Sequence, residues 1–259
     1  MPDKAGSTWR PSLPTMSREN CTICQGTGWE LATDGNVSRA RPCSCRALDR
    51  LIRMKDRVRI PQRYEHCTLA GYQPLNFSQA RALSEIRRLV REYPRVGLDV
   101  FLAGGPGVGK THLAVGALRE IIPRLVDDAL FVDFIDLGQA PGPGSSGSMV
   151  GQSVWERLAL APVLILDNFG MSAPGKDIVA LVVWLLNGRW KASRLTLFTG
   201  ERVRVPLLRS GTTDRSSATQ VFLEALPLTF LHGFFAHVQF ISIVGGDFRS
   251  RAGARAGLF

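Results

Sequence analysis

The chain has 259 residues, 45% of them hydrophobic, and carries 32 Lys and Arg against 22 Asp and Glu, giving a net charge of +10 and a pI near 10.0. That length holds one large α/β domain with a small appendage rather than two equal domains, and the longest apolar run, Ile178 to Leu186, falls short of the roughly 20 residues that cross a bilayer. The positive excess favours a polyanionic partner or an acidic protein surface, and an opening without an apolar signal-peptide core leads us to expect a soluble cytoplasmic protein with no membrane partner.

Residues 1–20 are rich in Pro, Ser and charge and read as a disordered arm. Residues 21–58 read as a zinc-binding module. Cys21 and Cys24, then Cys43 and Cys45, offer four thiolates in two close pairs separated by a loop, the pattern of a structural tetrahedral Zn²⁺ site. Two disulfides or four free thiols are the alternatives, and a cytoplasmic setting disfavours the disulfides. Glycines 26 and 28 after the first pair let the backbone turn its N–H groups toward the sulfurs. Arg46, Arg50, Arg53 and Arg57 then recur at helical spacing with Leu48, Leu51, Met54 and Val58 on other faces, a basic stripe that Arg39, Arg41, Arg59 and Arg63 extend. The stripe is either a nucleic-acid contact or a solvated face; no aromatic is interleaved before Tyr64 to stack on bases. Cys67, beyond Pro61, reads as a small buried hydrophobe rather than a fifth ligand.

The segment Gly104-Gly105-Pro106-Gly107-Val108-Gly109-Lys110-Thr111 matches the phosphate-binding pattern G-x-x-x-x-G-K-[ST]. The apolar run Val100 to Ala103 before it reads as a buried strand, and Leu113, Ala117 and Ile121 after it recur at helical spacing. Backbone N–H groups and the helix start cradle the phosphates of ATP. Lys110 adds a cation, and the Thr111 hydroxyl is a ligand for Mg²⁺.

Downstream, Val163-Leu164-Ile165-Leu166-Asp167 is a second buried strand ending in a carboxylate, the form of a Walker B acid that holds Mg²⁺. Ala129 to Phe134, Leu195 to Phe198 and Val238 to Ile243 are further strand candidates, alternating with helical stretches such as Asp177 to Asn187; this alternation predicts a mostly parallel sheet flanked by helices. Thr199 is placed either to reach the γ-phosphate and its water or to cap the next turn. Gly138 to Ser148, nearly all Gly, Pro and Ser, reads as a flexible surface loop.

Several stretches add up to a family pattern. They are the cysteine pairs, Ile60-Pro61-Gln62-Arg63-Tyr64 with Thr68-Leu69, the P-loop extended by His112-Leu113-Ala114, the strand ending at Asp167, Asn187-Gly188-Arg189-Trp190, and Gly246-Asp247-Phe248-Arg249. From about Cys21 to Arg249, most strongly between Leu98 and Gly170, the chain resembles the DnaC/DnaI helicase loaders, AAA+ ATPases related to the IstB transposition helpers. The resemblance implies an N-terminal domain that grips a replicative DNA helicase. It also implies an AAA+ domain, here residues 59–259, that binds ATP between subunits of a homo-oligomer and holds single-stranded DNA. It adds His112 to the nucleotide-binding residues and makes Arg249 either a γ-phosphate sensor or an exposed tail residue beside Arg251 and Arg255.

Three departures bear on hydrolysis. Asn168 stands where the family has an acid, and an amide orients water but cannot act as a general base. No arginine lies in Phe230 to Phe234, where the family carries its finger, and Thr199-Gly200 replaces the sensor asparagine. The expected catalytic set is therefore Lys110, Asp167, Asn168, Thr199 and Arg249. The expected function is an ATP-binding helicase loader that hydrolyses slowly or only with partners. An IstB-like DNA-binding transposition helper and a nonhydrolysing adaptor are the alternatives.

Overall fold

The computed structural model describes residues 21–34, 37–43, 45, 58, 60–125, 127–138, 154–203 and 217–248. The expected basic helix at Arg46 to Arg57, the Gly/Pro/Ser stretch beyond Gly138 and Arg249 lie outside these residues. The chain divides into two compact units, Met1–Arg53 and Met54–Phe259.

In the first unit β1 (Trp29–Asp34) and β2 (Val37–Pro42) form an antiparallel hairpin with Trp29 opposite Pro42. The segment between the cysteine pairs is thus a hairpin rather than the expected loop, and its register returns the second pair beside the first: Cys43 N–H donates to the Gly28 carbonyl at 3.0 Å. Among the side chains described in this unit, those of residues 21–30, 39–41, 43 and 45, the four cysteines are the buried apolar ones.

The second unit is built on five parallel strands, β3 (Asp99–Gly104), β4 (Leu130–Asp133), β5 (Val163–Asp167), β6 (Leu195–Gly200) and β7 (Val238–Ile243), in the order β4-β5-β6-β3-β7. Every residue of β3, β5 and β6 is buried, which is why Val100–Ala103 and Val163–Leu166 read in sequence as unbroken apolar runs rather than alternating ones, while the buried Thr196 and Thr199 of β6 are hydrogen-bonded. Helices α1 (Phe77–Glu92), α2 (Lys110–Ile121), α3 (Phe134–Leu137), α4 (Val154–Leu160), α5 (Lys176–Lys191), α6 (Ala218–Glu224) and α7 (Leu228–His237) connect and flank the strands.

Helix α1 starts where the Asn76 side chain accepts the Gln79 N–H at 3.0 Å, and it buries Ala82, Leu83, Ile86, Leu89 and Val90 as one stripe. The main core is aromatic: Phe101 stacks on Phe198 at 5.7 Å, and Phe169 meets Phe198 edge-on at 5.1 Å and Phe134 at 4.9 Å. Because β3 lies between β6 and β7 although it precedes both, its C-terminal end is a topological switch point, where open parallel sheets bind ligands.

Candidate functional site

The loop leaving β3 at that switch point is the phosphate-binding segment. Gly107 and Gly109 have φ of +64° and +98°, a region that L side chains avoid. A methyl on Gly107 would stand 1.7 Å from Asp247 Oδ1, and one on Gly109 2.6 Å from Tyr72 Cε2. Lys110 Nζ donates to the Gly104 and Gly105 carbonyls at 3.0 and 2.7 Å, which fixes its ammonium over the turn. Phe248 N–H donates to the Gly107 carbonyl at 3.1 Å, so Gly246-Asp247-Phe248 packs on the same loop.

Strands β5, β6 and β4 bring polar groups to the loop. Thr111 Oγ1 and Thr199 Oγ1 both donate to Asp167 Oδ1, at 2.8 and 2.5 Å. Asp167 is fully buried, and its Oδ2 has no hydrogen-bond partner among the described residues. Burial, reinforced by the neighbouring charge of Asp133, pushes its carboxyl up from the usual range against the pull of the two threonine hydroxyls. A buried carboxylate oxygen without a donor, next to a threonine hydroxyl and a phosphate cradle, matches the demand of a hard divalent cation. Thr199 is tied to two groups of the Walker B segment: besides Asp167, its oxygen accepts the Asn168 N–H at 3.0 Å. Asn168 has φ of +56°, a conformation asparagine tolerates better than most side chains. Its Nδ2 donates to Asp133 Oδ2 at 2.9 Å.

A strap from Ile60 onward closes one side of the site. The Tyr72 hydroxyl donates to the Val108 carbonyl at 3.2 Å, and burial pushes its pKa up to about 12, so it stays neutral. His112 Nε2 lies 2.9 Å from the Thr68 carbonyl, and its ring meets Tyr72 edge-on at 5.3 Å; burial lowers the His112 pKa and favours the neutral ring. Leu69 packs over Gly116 of α2, where a methyl would come within 2.8 Å of Leu69 Cδ2. The resulting open cleft is about 740 Å³, lined among others by Arg63, Tyr72, Lys110, Thr111, Asn168 and Phe248, within the range of small-molecule sites. Cys67 is buried as expected of a small hydrophobe, and its thiol lies 3.9 Å from His66 Nε2.

Sequence reasoning missed Asp133 and Tyr72. Asp133 carries the same signal as Asp167, an acid ending an apolar strand. For Tyr72 no local signal exists, because only the tertiary crossing of the strap places its ring against Gly109.

In the first unit the four thiols are free and gathered, with Cys21 and Cys43 sulfurs 3.8 Å apart and Cys24 and Cys45 sulfurs 3.4 Å apart. Four Zn–S bonds of about 2.3 Å in a tetrahedron place sulfurs about 3.8 Å apart. The Gly28 N–H donates to Cys24 Sγ at 3.2 Å, the outer contact that orients and stabilises a metal-bound thiolate. The donor set therefore fits zinc.

No family model matches the chain. It is 23% identical over 134 residues to the replicative helicase loader DnaC of Escherichia coli K12, a match covering 51% of this chain and 54% of that protein. The crystal structure of the DnaC helicase loader superposes with a TM-score of 0.55 at 26% identity, over 71% of this chain and 99% of that one. The chain is thus similar to the DnaC helicase loaders. The DnaI crystal structure matches with a TM-score of 0.55 at 20% identity, over 73% of this chain and 94% of that one. A replication initiator DnaA bound to AMPPCP and single-stranded DNA shares the fold, with a TM-score of 0.55 at 14% identity over 71% of this chain and 51% of that one. The match to the curated DnaC spans about half of that loader's length, and the α/β unit with its parallel sheet is an AAA+ fold. No described helix is long and apolar enough to cross a membrane.

Proposed function

We propose that this DnaC relative binds ATP with Mg²⁺, grips a replicative helicase and loads it onto single-stranded DNA, hydrolysing ATP slowly or only in the presence of its partners. The observation that carries the reading is the cradle itself: left-handed glycines around Lys110, with Thr111 and a buried Asp167 oxygen in need of a cation beside it. Lys110 and the loop amides hold the phosphates, Thr111 and Asp167 hold Mg²⁺, and the metal offsets the phosphate charge. Support for the nucleotide comes also from the AMPPCP held by the DnaA neighbour, and support for the helicase and single-stranded DNA from the loader relatives and that same neighbour. Cys21, Cys24, Cys43 and Cys45 hold a structural Zn²⁺ in the part of the chain that meets the helicase. Assembly as a homo-oligomer would complete the ATP site from a second copy.

The test measures ATP affinity with a fluorescent analogue and turnover with and without single-stranded DNA. Micromolar binding, loss of binding in Lys110→Ala, and turnover below about 1 per second against an enzyme median of about 10 per second are expected. Retained affinity in Lys110→Ala refutes the site. Failure of every candidate helicase from the host to co-purify in ATP refutes the loader role.

A further inference from the structure

No acid follows Asp167, yet the fold places one there from another strand. Asp133 ends β4 and pairs in register with Asp167 at the end of β5, and its partly buried carboxylate is the acceptor for the Asn168 amide at 2.9 Å. A carboxylate can only accept, so the group facing it must be the Asn168 NH₂ and not its carbonyl. That fixes the amide orientation. The Asn168 backbone is held independently by Thr199 Oγ1 on its N–H and by the Met171 N–H on its carbonyl at 3.1 Å. The side-chain carbonyl oxygen of Asn168 makes no hydrogen bond among the described residues, and Asn168 lines the cavity that holds Lys110 and Thr111. Asp133 does not line that cavity; it faces an adjoining one of about 420 Å³ together with Pro61 and Arg63. Its reach into the nucleotide site therefore runs through Asn168 and through Arg63, which lines both cavities and whose guanidinium lies 3.8 Å from Asp133 Oδ2; the double variant below isolates the Asn168 route.

We propose that Asp133 is a positioning residue for ATP hydrolysis: by accepting the Asn168 amide N–H it turns the Asn168 carbonyl oxygen into the nucleotide cavity, where that oxygen holds the attacking water. This rests on the nucleotide-site reading above. The water oxygen bonds to the γ-phosphorus and the bond from that phosphorus to the β,γ-bridging oxygen breaks. ADP leaves with the electron pair, and the proton of the water passes to a γ-phosphate oxygen, since an amide cannot take it. Aligning the water without a base makes the chemistry slow, as the proposed function requires.

Asp133 also plays a plainer part, because its Oδ1 accepts the Ile135 N–H at 3.1 Å and caps α3. Asp133→Asn separates the two, because asparagine caps as well as aspartate while its new amide no longer dictates which way Asn168 turns. Two readouts are measured in Asp133→Asn, Asn168→Ala and the double variant: turnover, and affinity for ADP with aluminium fluoride relative to AMPPCP. Turnover and the relative affinity for the transition-state mimic are expected to fall by about 10- to 100-fold in each single variant, with AMPPCP affinity unchanged and no further loss in the double variant. Wild-type turnover and mimic affinity in Asp133→Asn, or losses that multiply in the double variant, overturn the proposal. Absence of AMPPCP binding by the wild-type protein would sink the nucleotide-site reading instead, which keeps the two failures distinct.

Discussion

Gly109 shows how one residue decides whether the phosphate loop exists. Its φ of +98° costs an alanine about 1 to 2 kcal/mol by backbone sterics alone, and the added methyl would press on the Tyr72 ring at 2.6 Å. Gly109→Ala should therefore lower the melting temperature by several degrees, at roughly 2 to 4 °C per kcal/mol for a unit of this size, and weaken ATP binding at least 10-fold. Gly105→Ala is the internal control for stability, since its methyl meets nothing within 4 Å. Equal melting temperatures for the two variants would show that neither the left-handed backbone nor the Tyr72 ring constrains position 109. These glycines are legible in the sequence because the motif prescribes them. Tyr72 is not, since a contact made only by the crossing of distant segments leaves no trace in local pattern.

Among the elements, the end of α5 is the clearest case of a motif whose meaning the structure changes. In sequence, Asn187-Gly188-Arg189-Trp190 is part of a family resemblance; in the fold it is a buried polar knot. Arg189 is fully buried and donates to the Leu158, Ala161 and Leu195 carbonyls at 2.6 to 2.7 Å and to Thr196 Oγ1 at 2.9 Å. Asp99 accepts from Trp190 Nε1 at 2.9 Å and from the Thr196 N–H at 2.6 Å. The knot ties α5 to the starts of β3 and β6 and to the end of α4, opposite the phosphate loop. Burial pushes Asp99 up from 3.8 to about 6, against the hydrogen bonds and the Arg189 charge, which pull it down. With the folded value above the unfolded one, the folded protein binds more protons between them, so this group stabilises the fold fully below about pH 4 and loses that contribution as pH rises through about 6. The stability of the wild type relative to Asp99→Asn should fall by about 2 to 3 kcal/mol between pH 4 and pH 7. Denaturant titrations at both pH values read this directly, and a pH-independent difference would place Asp99 at an ordinary pKa.

For the whole molecule, the sequence discloses the parallel sheet because buried strands leave unbroken apolar runs, as in Val163 to Leu166. It does not disclose the hairpin between the cysteine pairs, although Gly35-Asn36 is a two-residue turn signal; Val37-Ser38-Arg39-Ala40-Arg41-Pro42 of β2 lacks the apolar alternation that marks a half-buried strand. Among the side chains described in the first unit the buried apolar ones are the four cysteines, so a bound metal is expected to supply much of what offsets the chain entropy of ordering it. Roughly 10 to 16 kcal/mol of apparent zinc-binding free energy suffices for so short a module. The wild-type protein should carry one zinc, and Cys43→Ser or a strong chelator should abolish amide-exchange protection across Trp29–Pro42 and release the helicase partner proposed above. ATP affinity, set by the Lys110 loop in the other unit, should change by less than about twofold. Exchange protection of the hairpin persisting in metal-free protein would show that the fold of this unit does not depend on zinc, and a parallel loss of ATP affinity would show that the two units do not fold separately.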